Sequence, residues 1–309
     1  MVKRQMSNVK RRFYNGHSER SEESVTLFVF TILILILFFS SNIYSQIFSE
    51  KDVEVCNSKF NLAVDKSLNE KPINEVIVEI GKSFLETEYI AHTLEKDGDE
   101  QLVINLTGLD CTTYLENVLT LSRCVKKHKT SFDDYQKELT FIRYRDGKIN
   151  KYPSRLHYFS DWIYNNQQKG IVKDITEEIG GKKIKFNVDF MSQNLKYYKQ
   201  LKENPEFIPV ISKQEKEINL RQYYFLPEDD IEKVESKIQT GDLIALTTNE
   251  KGLDIGHTGI AIRMADGRIH FMHAPQSGSK VQITKIPLSD YAKKIKKHTG
   301  IIVLRVIEP

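Results

Sequence analysis

The sequence predicts an α+β fold in which a helical layer comes first and packs on one face of an antiparallel sheet. Two observations carry the prediction. Between residues 73 and 168, apolar side chains recur every three to four positions, the period of an amphipathic helix. From residue 241 onward the pattern changes to short β-rich runs broken by Gly, Asp and Lys, with connections of hairpin length. Helices followed by consecutive strands is the α+β order, and no proline-rich or polar linker separates the halves. Residues 46–309 therefore read as a single domain, with a split into two as the second reading.

The first 45 residues stand apart. Lys3, Arg4, Lys10, Arg11 and Arg12 precede the unbroken apolar run Val25 to Phe39, and the small polar stretch "SSNIYSQ" follows it. That is the layout of a secretory signal peptide. The run is 15 residues long, short of the roughly 20 that span hydrocarbon, and Ser45 before Gln46 is the expected cut, with an uncleaved anchor as the alternative. The stretch "HSERSEES" is foreign to an ordinary leader and points to a later start codon. Residues 1–45 hold six Lys/Arg and three Glu, which leaves 39 charges of each sign in the remainder. The net charge of +3 thus reports the leader, and nothing in the neutral remainder argues for the clustered basic face that a nucleic-acid partner needs, so no nucleic acid is expected as a partner. Membrane contact is expected only through an uncleaved leader.

Cys56, Cys111 and Cys124 show no C-x-x-C spacing, which argues against a structural zinc site or a thioredoxin-like motif. An odd number of cysteines in an exported chain leaves at least one free thiol. Cys56 and Cys124 as a disulfide, or as two inert buried thiols, both stay open.

The predicted helices run over 73–89, 111–127, 131–145, 155–168, 189–201 and 208–219, and the strands over 241–248, 257–264, 268–274, 280–284 and 300–306. In "GLDCTTYLEN", Asp110 suits an N-cap, whose carboxylate accepts from free N–H groups of the first turn. Cys111 is then the first helical residue, with Leu115, Val118, Ser122 and Val125 continuing the same side. A thiol there feels the positive helix end, which lowers a cysteine pKa from about 8.5 toward roughly 3.5–7.5. Asp110 opposes that shift, so activation asks for a base, normally an imidazole forming a thiolate–imidazolium pair. Read alone, Cys111 is a small hydrophobe under a capping acid.

His257 opens a strand whose own face continues as Gly259 and Ala261, small residues that forfeit burial and leave room for a helix to pack close. Two further histidines follow, and hairpin register decides between them. A two-residue turn at Asp266 and Gly267 puts His270 on the face of His257 but opposite Arg263, roughly 20 Å away along the strand. A three-residue loop of Ala265, Asp266 and Gly267 pairs His273 with Gly259, diagonal to His257. Only His273 can then orient the imidazole. Periodicity alone favours the two-residue turn, so the choice rests on reach.

"LDC" opening a helix, then "GDLIAL", "HTGIAI" and "HFMHA" in that order, resemble the NlpC-type papain-like cysteine peptidases and amidases of bacterial cell walls. "YPSRLHYFSDWI", "DFMSQN", "GLDIGHTGIAI" and "TGIIVLRV" look like the N-acetylmuramoyl-L-alanine-amidase-like branch, and the likeness spans nearly all of residues 70–309. The resemblance implies a papain-like fold, a helical layer on an antiparallel sheet or half-barrel. It implies Cys111 as nucleophile, His257 as base and His273 as the group that holds the imidazole tautomer. Backbone N–H groups at the helix start would stabilise the oxyanion, and Asp110 would contact substrate. The implied reaction is hydrolysis of the amide between the lactyl group of muramic acid and L-alanine, in peptidoglycan or muropeptides of the periplasm or cell envelope, with no cofactor.

"SRLHYFSDW" is a second concentration of polar and aromatic groups. Arg155, His157 and Tyr158 could line a cleft for a sugar-peptide, or the segment could be a helix with an ordinary apolar stripe and an Arg–Asp pair on its wet side. Asp254, in the loop before His257, is a weaker candidate of the same kind. Three alternatives stand beside the amidase: a stem-peptide endopeptidase of the same fold, a non-catalytic peptidoglycan-binding module, and a zinc hydrolase using His257, His270, His273 or His157. The last is disfavoured, because histidines three apart on a strand point to opposite faces and no H-E-x-x-H helix is present.

Overall fold

The computed structural model describes residues 46–276 and 278–309. The expected leader, its cut and the anchor alternative lie outside them, and among the described residues no helix is long and apolar enough to cross a membrane.

Helix α1 (Glu50–Asp65) opens with a capping box in which the Ser49 hydroxyl accepts from the Asp52 N–H and the Asp52 carboxylate accepts from the Ser49 N–H. It is missing from the sequence prediction because it buries only Asp52, Cys56, Phe60 and Ala63, too sparse a stripe to show a period. The predicted helices appear as α2 (Ile73–Lys82), α3 (Cys111–Lys126), α4 (Phe132–Arg143) and α5 (Phe159–Gln168). The prediction of helix from 155 is corrected: Arg155 and Tyr158 have extended backbone, and α5 starts only at Phe159. The predicted helix over 189–201 is broken into the short turns Phe190–Gln193, Leu195–Tyr197 and Lys199–Glu203, and α6 (Ile208–Leu220) follows.

Helix α3 is the centre of the helical layer. It is buried at every position from Thr113 to Val125, where the sequence pattern suggests a single buried stripe. Polar groups taken out of water must find partners inside. Glu116 receives the Arg143 Nε–H at 2.7 Å and the Trp162 indole N–H at 3.1 Å. Asn117 receives the Tyr135 hydroxyl, and Arg123 donates to Glu138. Thr120 and Ser122 turn back onto the carbonyls of Glu116 and Val118.

The strands of the main sheet are β1 (Val172–Asp174), β2 (Lys182–Ile184), β3 (Tyr223–Pro227), β4 (Leu243–Thr248), β5 (Ile255–Arg263), β6 (Ile269–His273), β7 (Gln282–Ile283) and β8 (His298–Val306). They lie in the order β7-β6-β5-β4-β8-β3-β2, with β1 sharing the outer edge of β8 with β3, and every pairing in this sheet is antiparallel. Leu243, Ala245, Ile260, Ile262, Ile302 and Leu304 join the helical core. Ile244, Leu246, Ala261, Phe271, Ile301 and Val303 pack on the other face, against Ile231 of α7 (Glu228–Val234) and Leu288 and Ala292 of α8 (Leu288–Lys294). The sheet is therefore covered on both faces, where the sequence predicts cover on one. Consecutive rather than alternating apolar residues in β4 and β8 are the physical reason.

In the β5–β6 hairpin Ile269 lies opposite Arg263 and Met272 opposite Ile260. The Met264 N–H donates to the Arg268 carbonyl at 3.0 Å, and Gly267 takes φ +79°, so the loop is the three-residue one, Ala265 to Gly267. On the small face of β5, Ala261 joins the cluster that holds Leu288 and Ala292 of α8, while Gly259 makes room for a strand rather than for the expected helix. A Cβ on Gly259 would meet the Met272 carbonyl oxygen at 2.6 Å and the Phe271 ring at 2.7 Å, so the space serves β6 and its phenylalanine. Gly259→Ala is accordingly expected to destabilise the protein by about 2 kcal/mol through overpacking. A lower urea midpoint at unchanged m would register this, and an unchanged midpoint would refute it.

Candidate active site

Asp110 caps α3 through a reciprocal box. Its Oδ1 accepts from the Thr113 N–H at 2.8 Å, while its own N–H donates to the Thr113 hydroxyl at 2.9 Å. Cys111 is the first helical residue and is half-buried. Its amide belongs to the first turn, whose N–H groups have no acceptor within the helix. The Thr258 hydroxyl donates to the Cys111 carbonyl at 3.0 Å and ties the helix mouth to β5.

The neighbour of that threonine is His257. Pairing of β5 with β4 slips at this point, since Leu246 faces His257 but Thr247 faces Ile255. The resulting bulge re-aims the start of the strand, as bulges beside sites often do. The His257 Nε2 lies 2.6 Å from Nδ1 of His273, which is fully buried at the end of β6. Only Nδ1 of His257 remains for the cleft.

Electrostatics keep all three groups neutral. Burial and the Asp110 charge push the Cys111 thiol up to about 11, against hydrogen bonds from Thr258 and Thr112 that pull it down. Burial, with the neighbouring His273 and His298, holds His257 well below the ordinary histidine range, and burial takes His273 down to about 3. At rest the cleft is lined by a neutral thiol and a neutral imidazole, in place of the expected thiolate–imidazolium pair.

A cleft of about 410 Å³ gathers Cys111, His257, Asp110, Arg155, His157, Tyr158 and Asp254 on one surface. Each of the last five has an internal partner that fixes it. Arg155 pairs with Glu95 at 2.6 Å and lies near Glu100. His157 Nε2 is 3.0 Å from the Tyr152 carbonyl, and burial with the Arg155 charge holds its pKa well below the ordinary range. The Tyr158 hydroxyl donates to Glu215 and accepts from the Met191 N–H. Asp254 accepts from the N–H groups of Ser160 and Ile255, both at 2.7 Å, and burial raises its pKa. The Arg–Asp pair imagined for the wet side of a helix does not form, because Asp161 is buried and held by Arg145 and Arg221.

His270 lies apart, held by the Thr284 carbonyl and Asp266. Among the described residues no three His, Cys, Asp or Glu side chains converge as metal ligands. Cys56 and Cys124 are free and buried, and burial raises both thiols. Sequence reasoning missed Thr258, the Glu116–Arg143 pair in the cleft wall, and two tyrosines near the sulfur. Burial first, and then the neighbouring Cys111, pushes the hydroxyls of Tyr89 and Tyr291 up to about 12. No local pattern marks either tyrosine.

The family model for AmiA-like, N-acetylmuramoyl-L-alanine amidase-like proteins matches residues 79–301. A crystal structure of an N-acetylmuramoyl-L-alanine amidase from Bacteroides uniformis is 38% identical, with a TM-score of 0.70 over 76% of this chain and 99% of that one. A Bacteroides fragilis protein named, provisionally, as a xylanase is 42% identical, with a TM-score of 0.68 over 73% and 98%. A Legionella pneumophila protein at 24% identity shares the fold, with a TM-score of 0.62 over 84% and 97%. No curated protein matches the chain. With its sequence matched over most of its length, this chain belongs to the AmiA-like family of N-acetylmuramoyl-L-alanine amidase-like proteins.

Proposed function

We propose that the protein is an exported cysteine amidase of papain-like, NlpC-type architecture that cleaves the amide between the lactyl group of N-acetylmuramic acid and L-alanine. The observation that carries this reading is the 2.6 Å contact between His257 Nε2 and His273 Nδ1, which leaves His257 Nδ1 as the base in the cleft that Cys111 lines. In the acylation step the thiol proton passes to Nδ1 as sulfur adds to the lactyl carbonyl, and the carbonyl π pair moves onto oxygen. The Cys111 N–H at the helix mouth stabilises that oxyanion. Collapse breaks the C–N bond, and His257 returns the proton to the departing amine of L-alanine. Water, deprotonated by the same nitrogen, then attacks the thioester and releases the lactyl carboxylate and the thiol. His273 holds the ring in the tautomer that presents a lone pair to sulfur.

A glycoside hydrolase, the class the Bacteroides fragilis name suggests, needs two available carboxyl groups flanking a glycosidic bond. In this cleft Asp110 is committed to a helix cap, Glu95 and Glu116 to ion pairs with Arg155 and Arg143, and Asp254 to backbone N–H groups. That commitment favours the amidase.

Incubation with a defined muropeptide is expected to yield intact sugar and a free peptide beginning at L-alanine, read by mass spectrometry; cleavage between two peptide residues would select the endopeptidase instead. Cys111→Ala should lower turnover by at least about a thousandfold, and turnover that survives it refutes cysteine chemistry. Because the thiol is raised to about 11, thiolate is scarce at neutral pH and grows as pH rises. Iodoacetamide labelling of Cys111 should therefore accelerate about tenfold per pH unit from 6 to 9, and a plateau below pH 7 would reveal a preformed ion pair. Export through the leader predicts a mature chain starting at Gln46, and an intact residue 1–45 segment on the envelope-localised protein would contradict cleavage.

A further inference from the structure

The pairing of His273 with His257 leaves one polar atom over. His273 Nδ1 meets His257 Nε2 at 2.6 Å, while its Nε2 is closed to solvent and has no hydrogen-bond partner among the described residues. The whole residue is fully buried. A buried ring nitrogen left unpaired is costly and asks for an explanation. Since nothing from outside reaches this atom, its partner has to be found among the side chains packed around it.

Three aromatic rings pack on His273. His257 is the one bonded through Nδ1. Phe271, with ring centroids 4.7 Å apart and 35° between the planes, leans its face toward the imidazole face. Tyr291 stands 5.0 Å away at 77°, so the edge of one ring meets the face of the other. It is carried by α8, which Leu288 and Ala292 anchor on the sheet, and it also lies against Phe271 with centroids 5.6 Å apart. Of the two perpendicular arrangements, only an imidazole edge on the phenol face gives Nε2 a partner.

That choice bears on the proton of His257. In one neutral form of the pair, His257 donates from Nε2 to His273 Nδ1, and His273 carries its own proton on Nε2. In the other, His273 donates from Nδ1, which leaves a lone pair on its Nε2 and puts the His257 proton on Nδ1. An aromatic face is the negative side of the ring, so it attracts an N–H and repels a lone pair. We propose that Tyr291 is a positioning residue whose ring face receives the His273 Nε2–H and so selects the form in which His257 Nδ1 carries a lone pair. The use of that lone pair as a base rests on the amidase reading, whereas the tautomer belongs to the resting protein.

The test reads the tautomers without substrate. Long-range proton–nitrogen correlation spectra are recorded at neutral pH on the full chain with isotope-labelled histidine, and the signals are assigned through His257→Asn and His273→Asn. Both rings are expected to be protonated on Nε2. The His273 ring N–H is expected upfield of hydrogen-bonded imidazole N–H signals, because the ring current shields a proton above an aromatic face. Tyr291→Phe should preserve both signatures. Tyr291→Leu should abolish the upfield shift and lower the ratio of Nε2- to Nδ1-protonated His257 about fivefold. His257 protonated on Nδ1 in the unsubstituted protein, a His273 N–H without the upfield shift, loss of either signature in Tyr291→Phe, or a shift that survives Tyr291→Leu overturns the proposal. If Tyr291→Leu fails to fold, the unsubstituted and Tyr291→Phe spectra decide it. The position of the cut bond, read by mass spectrometry on the active enzyme, judges the amidase reading separately.

Discussion

The placement of Cys111 depends on an ion pair five residues further along its helix. Glu116 and Arg143 face each other with side chains only 3% exposed. Arg143 also donates to the Val103 carbonyl at 2.6 Å, and the second oxygen of Glu116 takes the Trp162 indole N–H. Helices α3, α4 and α5 and the short strand at Leu102–Val103 thus converge on one carboxylate. A buried pair of this kind contributes modestly when intact, but removing one partner strands a charge and costs about 3–5 kcal/mol. Turning α3 by one residue, about 100°, would break both bonds of Glu116 and swing the sulfur out of the cleft. The sulfur is positioned by this pair as much as by its own cap.

The charge state of the sulfur follows from competing fields. A helix N-terminus presents about half a positive charge to a first-turn thiolate. Against it stand desolvation and the full negative charge of Asp110, one residue away, and these win. The histidines are neutral for the same reason, because the hydrophobic core that places them also removes the water that would solvate a cation. Two neutral groups need no counter-charge in a buried site. In the proposed mechanism, charge separation is then confined to the moment when a substrate carbonyl supplies an oxyanion beside the helix mouth. A scarce thiolate also slows adventitious oxidation, whose rate tracks thiolate character.

Much of this was legible before any coordinates. Strong three-to-four periodicity located α2 to α5, and the Asp110 cap located the helix start to the residue. The three-residue hairpin loop followed from what His273 had to reach, even though apolar alternation favoured the other register. What escaped has common causes. Helix α1 and strands β1 to β3 are short or thinly buried, so their patterns do not rise above composition. Alternation along β5 tells which residues share a face but not which layer covers it, and Gly259 and Ala261 turned out to face Phe271 and α8 rather than α3. Tyr89 and Tyr291 approach the sulfur from segments far apart in the chain, and tertiary structure alone brings them there.

Asp254 shows why the site holds together as a unit. Its carboxylate takes the Ser160 N–H at the start of α5 and the Ile255 N–H at the start of β5, so it joins the helix and the histidine strand end to end. Along α5, Trp162 reaches Glu116, and Glu116 lies on the helix that begins at Cys111. Across the other side, Thr258 beside the imidazole returns to the Cys111 carbonyl. These contacts form a closed circuit, Cys111 to Glu116 to Trp162 to Ser160 to Asp254 to His257 and back through Thr258. In such a circuit neither Cys111 nor His257 can shift without stretching a buried hydrogen bond elsewhere, which is how a site gains the sub-ångström tolerance that the proposed proton transfer demands. The contacts of Asp254 are mechanical: its oxygens accept backbone N–H groups that fix the start of α5 and the start of the strand carrying His257.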